Sequence, residues 1–396
     1  MITGPAVPCT PPDSQWASQA AEAIWHRLAA NGWSGYDPYD ACLTKRLPSL
    51  FRASRIGRRG LTQAVKRCPV PLQPVLAVPA GVDAYTLGHA VLAGTRLARL
   101  RSLATVHEVK RLVRRLRADA WGSSGAMAWG YHFPVHTRFF SYEPPTPNLI
   151  VTAFVAKGLV EATCAGIEDC REDLARIVRF VLGCLNRVTD STGQCIGYVP
   201  GEDAAVHNAN MLAVLVLCDA AELCAEPAWL DEALACASFT VNRQQPDGSW
   251  EYSEEPFGRW VDGFHSGFVL EGLARVVRST DEAVLRRSLE AGVAYYVAQL
   301  FGPAGEPKYY PDRPLPFDAL SAAQGLETLH VSVGGAAARA VPGQVEWIRR
   351  HLVRPDGLVA YQVHRGWTDW REFPRWSSAP MLSALAGVAA GGDGMA

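Results

Sequence analysis

The chain has 396 residues, of which 48% are hydrophobic and 19% charged, and its formal net charge is −1. These values suit a protein with a large core and give the whole chain no nucleic-acid signature, so no nucleic-acid partner is expected. Ten cysteines occur without a CxxC pair, which favours buried thiols in a reducing compartment. The N-terminus lacks the pattern of a signal peptide, and no apolar run reaches transmembrane length. A cytoplasmic location is therefore predicted.

Apolar helical segments recur along the chain at a nearly constant spacing, with steps of 64, 59, 58, 53 and 59 residues. Amphipathic segments such as 103–118, 168–187 and 337–352 precede them and are apolar on one face only. The recurring segments, such as 149–160 and 211–218, are apolar nearly all round and rich in small residues. Twelve alternating helices predict one all-α domain over 1–396, an (α/α)6 toroid with six inner and six outer helices. The inner helices begin near Asp83, Pro147, Val206, Phe264, Phe317 and Trp376.

Local signals mark some helix ends. Ser14 can cap the first outer helix, which then ends at Asn31 and Gly32. Thr146 before Pro147 predicts an N-cap followed by proline at the first position of the second inner helix.

An insertion at 33–82 interrupts the helical pattern. It is rich in Pro and Gly, and it carries eight basic residues in the stretch 45–67 and no acidic residue between 41 and 82. Because it joins an outer helix to an inner one, we expect it to lie over one end of the toroid. It is either a solvated loop or a lid that attracts an anionic substrate or a membrane surface. Membrane contact is expected only through the basic stretch.

The topology of a toroid predicts where the functional site lies. All six inner helices point their N-termini to one end, so the loops that enter them converge there. A ring of six helix N-termini carries a positive partial charge, which favours an anionic group. The loops are 33–82, 119–146, 188–205, 245–263, 301–316 and 353–375.

The densest group of candidate catalytic residues lies in WEYSEEPFGRWVDGFHSGF, residues 250–268. Asp262 and His265 are three residues apart at a predicted helix start, so both can face one cavity. A carboxylate beside an imidazole is a workable acid–base pair. The alternative is that Asp262 only caps the helix and His265 is a structural histidine.

Further candidates lie in the other converging loops. Tyr252, His207 and His132 are the candidates for an acid opposite that pair, and Arg375 suits a carboxylate clamp unless an acidic residue pairs with it. His132 and His136 have the spacing of a helical metal pair, but Pro134 lies between them and no third ligand is obvious. No metal and no cofactor are therefore predicted. The remaining expected substrate contacts are Tyr131, His136, Tyr198, Asn208, Asn210, Trp250, Trp260, Tyr310 and Trp376.

One motif resembles a repeat of another toroid family. QQPDGSW, residues 244–250, resembles the QW motif of terpenoid cyclases and their prenyltransferase relatives, which implies that its Gln and Trp brace helix ends. The acidic DxDD motif of the cyclases and the zinc ligands of the protein prenyltransferases are not found in this chain. The resemblance therefore brings no catalyst for cyclisation with it.

A broader resemblance covers residues 33 to 390. The chain resembles bacterial proteins of exopolysaccharide and related biosynthetic clusters, which look related to six-hairpin lyases, epimerases and hydrolases of uronic-acid glycans. The resemblance transfers no catalytic residue. The motifs that carry it are GYDPYDACL (35–43), WGYHFPVHTRFF (129–140), PTPNLIVTAFVAKGL (145–159), HNAN (207–210), DGSWEY (247–252), WVDGFHSGFVLEGL (260–273) and RWSSAPML (375–382).

Three functions stay open at this stage. The first is an enzyme of glycan biosynthesis that removes a proton from an anionic sugar. This sugar could be free, part of an oligosaccharide, or linked to a nucleotide or lipid. The mixture of aromatic and polar residues in the loops favours this function. The second is an enzyme that processes terpenoid or polyprenyl diphosphates, which needs an apolar, water-poor cavity. The third is a non-catalytic toroid that binds a glycan or a biosynthetic partner. The sequence leaves the oligomeric state undetermined.

Overall fold

The computed structural model describes residues 11–46, 54–100, 103–137, 139–333 and 335–391. Within these ranges the fold is mostly helical, with a few two- to four-residue strands. The helices are α1 (Pro11–Ala30), α2 (Arg55–Arg67), α3 (Ala84–Leu100), α4 (Leu103–Ala118), α5 (Leu149–Cys164), α6 (Arg171–Gly183), α7 (His207–Cys224), α8 (Ala228–Val241), α9 (Gly263–Thr280), α10 (Ala283–Leu300), α11 (Ala319–Leu326), α12 (Val341–His351) and α13 (Ala379–Ala389).

Short strands and non-α helical turns lie in the connections. Strands β1–β2, β3–β4 and β5–β6 form antiparallel pairs, and β7, β8 and β9 form a three-stranded sheet. Glu327–Val333 and Pro374–Ser378 are π-helical, and Asp40–Leu43 and Gly335–Ala340 are 3₁₀-helical. The strands are β1 (Ser34–Gly35), β2 (Gly81–Val82), β3 (Val135–His136), β4 (Ser141–Tyr142), β5 (Arg187–Asp190), β6 (Gly193–Ile196), β7 (Phe317–Asp318), β8 (Gln362–His364) and β9 (Trp367–Asp369).

Six inner helices form a closed ring. Helices α3, α5, α7, α9, α11 and α13 each pack on the next, and α13 returns to α3. Helices α1, α4, α6, α8, α10 and α12 surround the ring. Helix α1 packs on inner helix α13 and also contacts outer helix α12, which closes the outer layer. The first fourteen residues of α7 are buried, whereas outer helix α6 is buried along one face, as their apolar patterns predict. The prediction of an (α/α)6 toroid is confirmed.

Several predicted helix ends are wrong by a few residues. Ser14 is not a cap, because α1 begins at Pro11 and Ser14 lies inside it. Asn148 caps α5 by accepting from the Val151 backbone N–H at 2.9 Å, whereas the Thr146 hydroxyl donates to a carbonyl before the helix. The amphipathic segment 168–187 is helical only over α6, since the strand β5 begins four residues after that helix ends.

Small residues let the inner helices approach closely, as their recurrence predicts. An added Cβ at Gly158 in α5 would lie 2.6 Å from the carbonyl oxygen of Gly88 in α3. That distance is shorter than a van der Waals contact, so the two backbones touch where both residues lack a side chain.

A buried network of charges crosses the middle of the ring. Arg96 of α3 forms two hydrogen bonds with Glu327, at 2.8 and 2.9 Å. Lys157 of α5 lies between the two carboxylates, 2.7 Å from Glu271 and 3.4 Å from Glu327. Gln324 donates to Glu271 at 2.5 Å. Two cations therefore balance two anions in the core, which the sequence pattern did not predict.

The insertion packs against the loops of the toroid. Strands β1 and β2 join its two ends, and α2 packs against the 3₁₀ turn Asp40–Leu43. Of its predicted basic residues, Arg58 pairs with Glu143, and Arg46 and Arg59 donate to backbone carbonyls. Positions 47–53, part of the basic stretch, lie outside the described residues. No helix in the described ranges is long and apolar enough to cross a membrane.

Candidate functional site

A cavity of about 270 Å³ lies where the inner helices begin. Its walls come from the loops that enter α5, α7, α9, α11 and α13, from the first turns of these helices and of α3, and from the insertion. Fourteen of its twenty-two lining residues are aromatic, namely seven Tyr, five Phe and two Trp. The other lining residues are Val135, Thr137, Ile150, Asn208, Asp262, His265, Leu320 and Arg375.

Asp262 and His265 form a hydrogen-bonded pair in the cavity wall. Asp262 caps α9 by accepting from the His265 backbone N–H at 3.0 Å, and its other oxygen lies 2.6 Å from His265 Nδ1. Trp260 Nε1 donates to that second oxygen at 2.9 Å. Because a carboxylate accepts, His265 carries its proton on Nδ1, and Nε2 is left as the basic nitrogen. Asp262 therefore caps the helix and also orients the imidazole of His265.

Stacked aromatic rings surround this pair. Tyr252 stacks on Trp260 at 4.6 Å with an interplanar angle of 9°, and its ring centroid is 4.6 Å from that of His265. Across the cavity, the hydroxyls of Tyr131 and Tyr198 are 3.5 Å apart. Burial raises the pKa of all three tyrosines, so their phenols stay protonated and can donate hydrogen bonds to a ligand.

Asn208 offers an unused acceptor. It lies in the first turn of α7, is 2% exposed, and lines both the cavity and a small crevice beside the Asp262–His265 pair. Its Oδ1 is buried without a hydrogen-bond partner among the described residues. An unpaired buried acceptor is costly, so this oxygen is suited to receive a hydroxyl or amide from a ligand.

Arg375 lines the cavity but is already paired. Its Nε and Nη2 donate to the two oxygens of Asp37, at 2.5 and 2.9 Å. Burial alone would lower the pKa of Arg375, but the charge of Asp37 outweighs it and holds that pKa well above its usual value. The guanidinium also lies 4.9 Å from the ring centroid of Tyr131. The insertion thus supplies the counter-ion of this arginine.

Five predicted site residues do not line the cavity. His207 is 1% exposed, and its Nε2 lies 2.8 Å from Glu254. Asn210 hydrogen-bonds the backbone of β6 and of α8. Trp250 lies beside the small crevice and donates to the Thr240 carbonyl at 3.0 Å, near the end of α8. The other two are His132 and His136.

His132 and His136 contact the insertion and its surroundings. His132 Nδ1 is 3.4 Å from Asp83, and His136 Nε2 is 2.6 Å from Arg58. His136 belongs to the strand β3, so the two histidines do not share a helix face as a helical metal pair would. In the described ranges, no group of three His, Cys, Asp or Glu residues has a geometry that could hold a metal ion.

Eight aromatic cavity residues were not among the predicted ligand contacts. The insertion contributes Tyr39, whose ring centroid is 5.9 Å from that of Trp376, and its motif GYDPYDACL was the available signal. Phe264 and Phe268 flank His265 on α9 and look like ordinary core residues in sequence. The remaining five are Tyr85, Phe133, Phe139, Phe140 and Tyr309.

The fold is similar to those of several carbohydrate-related proteins, although the sequence matches no family model and no curated protein. Cellobiose 2-epimerase from Bacillus thermoamylovorans is 9% identical, with a TM-score of 0.62 over 79% of this chain and 90% of its own. A GH76 alpha-mannanase from Bacteroides thetaiotaomicron is 13% identical, with a TM-score of 0.60 over 78% and 86%. A possible GH105 family member from Salmonella enterica is 13% identical, with a TM-score of 0.60 over 96% and 93%. At such identities the likeness shows the shared toroid fold.

Proposed function

We propose that this protein is an enzyme that holds a sugar ring in the aromatic cavity and moves a proton to or from it with His265. The observation that carries the proposal is the Asp262–His265 pair, with a 2.6 Å bond at Nδ1, in the wall of that cavity. A sugar has apolar ring faces, which stack on aromatic side chains, and hydroxyls, which need hydrogen-bond partners. The tyrosine hydroxyls and Asn208 provide such partners.

Proton removal from the carbon beside the carbonyl of the sugar's open-chain form, reached by opening of the hemiacetal ring, is the chemistry that we propose. His265 Nε2 takes the proton, and the imidazolium that forms is stabilised by Asp262 at Nδ1. Tyr252 is protonated and adjacent to His265, so it can donate a hydrogen bond to the oxyanion that develops on the substrate. Of the acids predicted to oppose the pair, Tyr252 lines the cavity, and His207 and His132 do not.

The structural neighbours favour a sugar over other ligands. Those cited above include proteins named for cellobiose epimerisation and for mannan. We also propose, from the sequence resemblance, a role in glycan biosynthesis with a sugar that is free, in an oligosaccharide, or linked to a nucleotide or lipid. Arg375 was the expected carboxylate clamp for an anionic sugar, and Asp37 already occupies that side chain.

A second candidate function is isoprenoid processing, because fourteen aromatic rings around one cavity also suit an apolar ligand or a carbocation. That function predicts binding of isoprenoid diphosphates near the basic stretch 45–67. It has no counterpart for the hydrogen-bonded Asp262–His265 pair, so we rank it below the sugar proposal.

Matched aspartate variants test the catalytic assignment. Asp262→Asn keeps a side chain that caps helices well, so the free energy of unfolding should change by roughly 1 kcal/mol or less. The amide places a donor toward His265 Nδ1, which reverses the tautomer, and turnover should fall by about 10²-fold or more. Asp318→Asn is the control, since Asp318 caps α11 and accepts from Trp376 Nε1 at 3.0 Å without an imidazole partner.

Turnover is measured after a thermal-shift screen of sugars, nucleotide sugars and isoprenoid diphosphates. Loss of turnover in Asp262→Asn and His265→Gln, with retention in Asp318→Asn, supports the proposal. Equal turnover in Asp262→Asn and the wild type contradicts it. Binding of diphosphates alone favours the isoprenoid function, and sugar binding without any turnover favours a non-catalytic toroid.

A further inference from the structure

Asp37 and Arg375 form a buried ion pair beside the cavity. Among the described lining residues, Arg375 is the arginine, and it is 9% exposed. Asp37 is 2% exposed, and its carboxylate accepts two hydrogen bonds from Arg375 in a bidentate ion pair. A carboxylate on a ligand would compete with Asp37 for the same fork-shaped geometry. Asp37 of the insertion therefore already provides the carboxylate that Arg375 would otherwise bind on a ligand.

Carboxylates also lie at three of the helix N-termini around the cavity. Asp262 and Asp318 cap α9 and α11 through backbone N–H groups, and Asp83 accepts from the Tyr85 N–H at the start of α3 at 2.8 Å. Each carboxylate offsets the positive partial charge of its own helix end. The positive ring expected from six converging N-termini is thus neutralised at three helices by side chains of the chain itself.

The remaining charge near the cavity does not favour an anion. Of the lining residues that the structure describes, Asp262 carries a carboxyl group, Arg375 a guanidinium and His265 an imidazole. Lys66 lies beyond the lining, with its Nζ 4.3 Å from the ring centroid of Tyr39 and donating to the hydroxyl of that tyrosine at 2.8 Å. Among the described lining residues, a bound anion would therefore meet Asp262, and Arg375 is already paired with Asp37.

We infer that the cavity selects an uncharged sugar ring and that Asp37 is the residue that sets this selection, by holding Arg375 in an internal ion pair. The inference depends on the proposed function, since it names the substrate class of the same site. The inferred substrate is a neutral sugar instead of the uronate-like sugar expected from the sequence. Its size is about one sugar ring, which a cavity of about 270 Å³ accommodates.

Paired ligands provide the first test. Glucose, mannose and galactose are each compared with the matching uronic acid by calorimetry on the wild-type full chain. We expect at least one neutral sugar to bind about tenfold or more tightly than its uronate. A uronate that binds more tightly than its neutral partner overturns the inference and leaves the proposed function standing. No binding of any sugar overturns both.

The second test removes the charge of Asp37 and measures whether the cavity then binds an anionic sugar more tightly. Asp37→Asn leaves Arg375 buried without its counter-charge, so the variant should unfold at a lower temperature than the wild type. The charge of Asp37 then no longer balances Arg375 or repels a carboxylate, so we expect a uronate to bind the variant at least about tenfold more tightly than it binds the wild type and to restore the unfolding temperature. Unchanged uronate affinity in a folded variant contradicts the assignment to Asp37.

A matched control separates specificity from general loss of stability. Asp219 pairs with Arg275 at a similarly buried position, with side chains 8% and 7% exposed, and neither residue lines the cavity. Asp219→Asn should also lower the unfolding temperature, but uronates should not restore it. Restoration of both variants by uronates would show a non-specific effect and overturn the inference. If Asp37→Asn does not fold, the comparison of paired ligands on the wild type decides alone.

Discussion

Replacing Glu327 with glutamine tests how the buried charge network holds the inner ring together. Arg96 and Glu327 are 6% and 7% exposed, and Lys157 also contacts Glu327. The variant leaves two buried cations with Glu271 as their one carboxylate partner in the network. Removal of one member of a buried pair costs about 3–5 kcal/mol. Because glutamine keeps one acceptor oxygen and Glu271 still serves Lys157, we expect a loss of about 3 kcal/mol.

Urea unfolding followed by circular dichroism measures this loss. Glu346→Gln is the control, since Glu346 pairs with Arg349 and Arg350 on the surface and should change the free energy of unfolding by less than about 0.5 kcal/mol. The double variant Arg96→Met, Glu327→Met removes both charges and should recover most of the loss. A Glu327→Gln protein as stable as the Glu346→Gln protein would refute the reasoning.

Two further predictions concern the insertion and the ring. Burial raises the pKa of Asp40 to about 7, so its contribution to stability should fall by up to about 4 kcal/mol as pH rises from about 4 to 7. In urea unfolding, the variant Asp40→Asn, whose amide can donate to Gln73, should lack this dependence of the unfolding free energy on pH. A pH dependence equal to that of the wild type would disprove the prediction. Gly158→Ala should lower the free energy of unfolding by about 1–3 kcal/mol, because the added Cβ would meet the Gly88 carbonyl. Gly183→Ala is the control, since a Cβ there meets nothing within 4 Å. Equal unfolding midpoints of these two variants would contradict the close packing.

The sequence predicted the ring because the apolar period repeats in every unit. Helices apolar on all sides must be buried on all sides, and amphipathic ones must cover them, which leaves few arrangements. The boundary error at Thr146 has a local cause, since Asn148 offers a competing cap. The charge network of Arg96 and Glu327 was not predicted because their partners are more than 200 positions apart.

The site was predicted in part, and the missing parts have a physical explanation. Asp262 and His265 share one helix turn, so their contact follows from spacing alone. Tyr39 and Asp37 meet the cavity through the fold of the insertion, which no helical period describes. His207 resembled a site residue in sequence, but it faces Glu254 instead, because position along a helix does not say which way a side chain points.

Exchange of a sugar C–H proton with solvent tests the central claim most directly. A neutral sugar identified by the binding screen is incubated in D2O with the wild type and with His265→Gln, and deuterium on carbon is measured by mass spectrometry. We predict incorporation of deuterium by the wild type and loss of that incorporation, by about 10²-fold or more, in the variant. Equal incorporation by both proteins, or turnover of the sugar without any incorporation, would contradict proton transfer by His265.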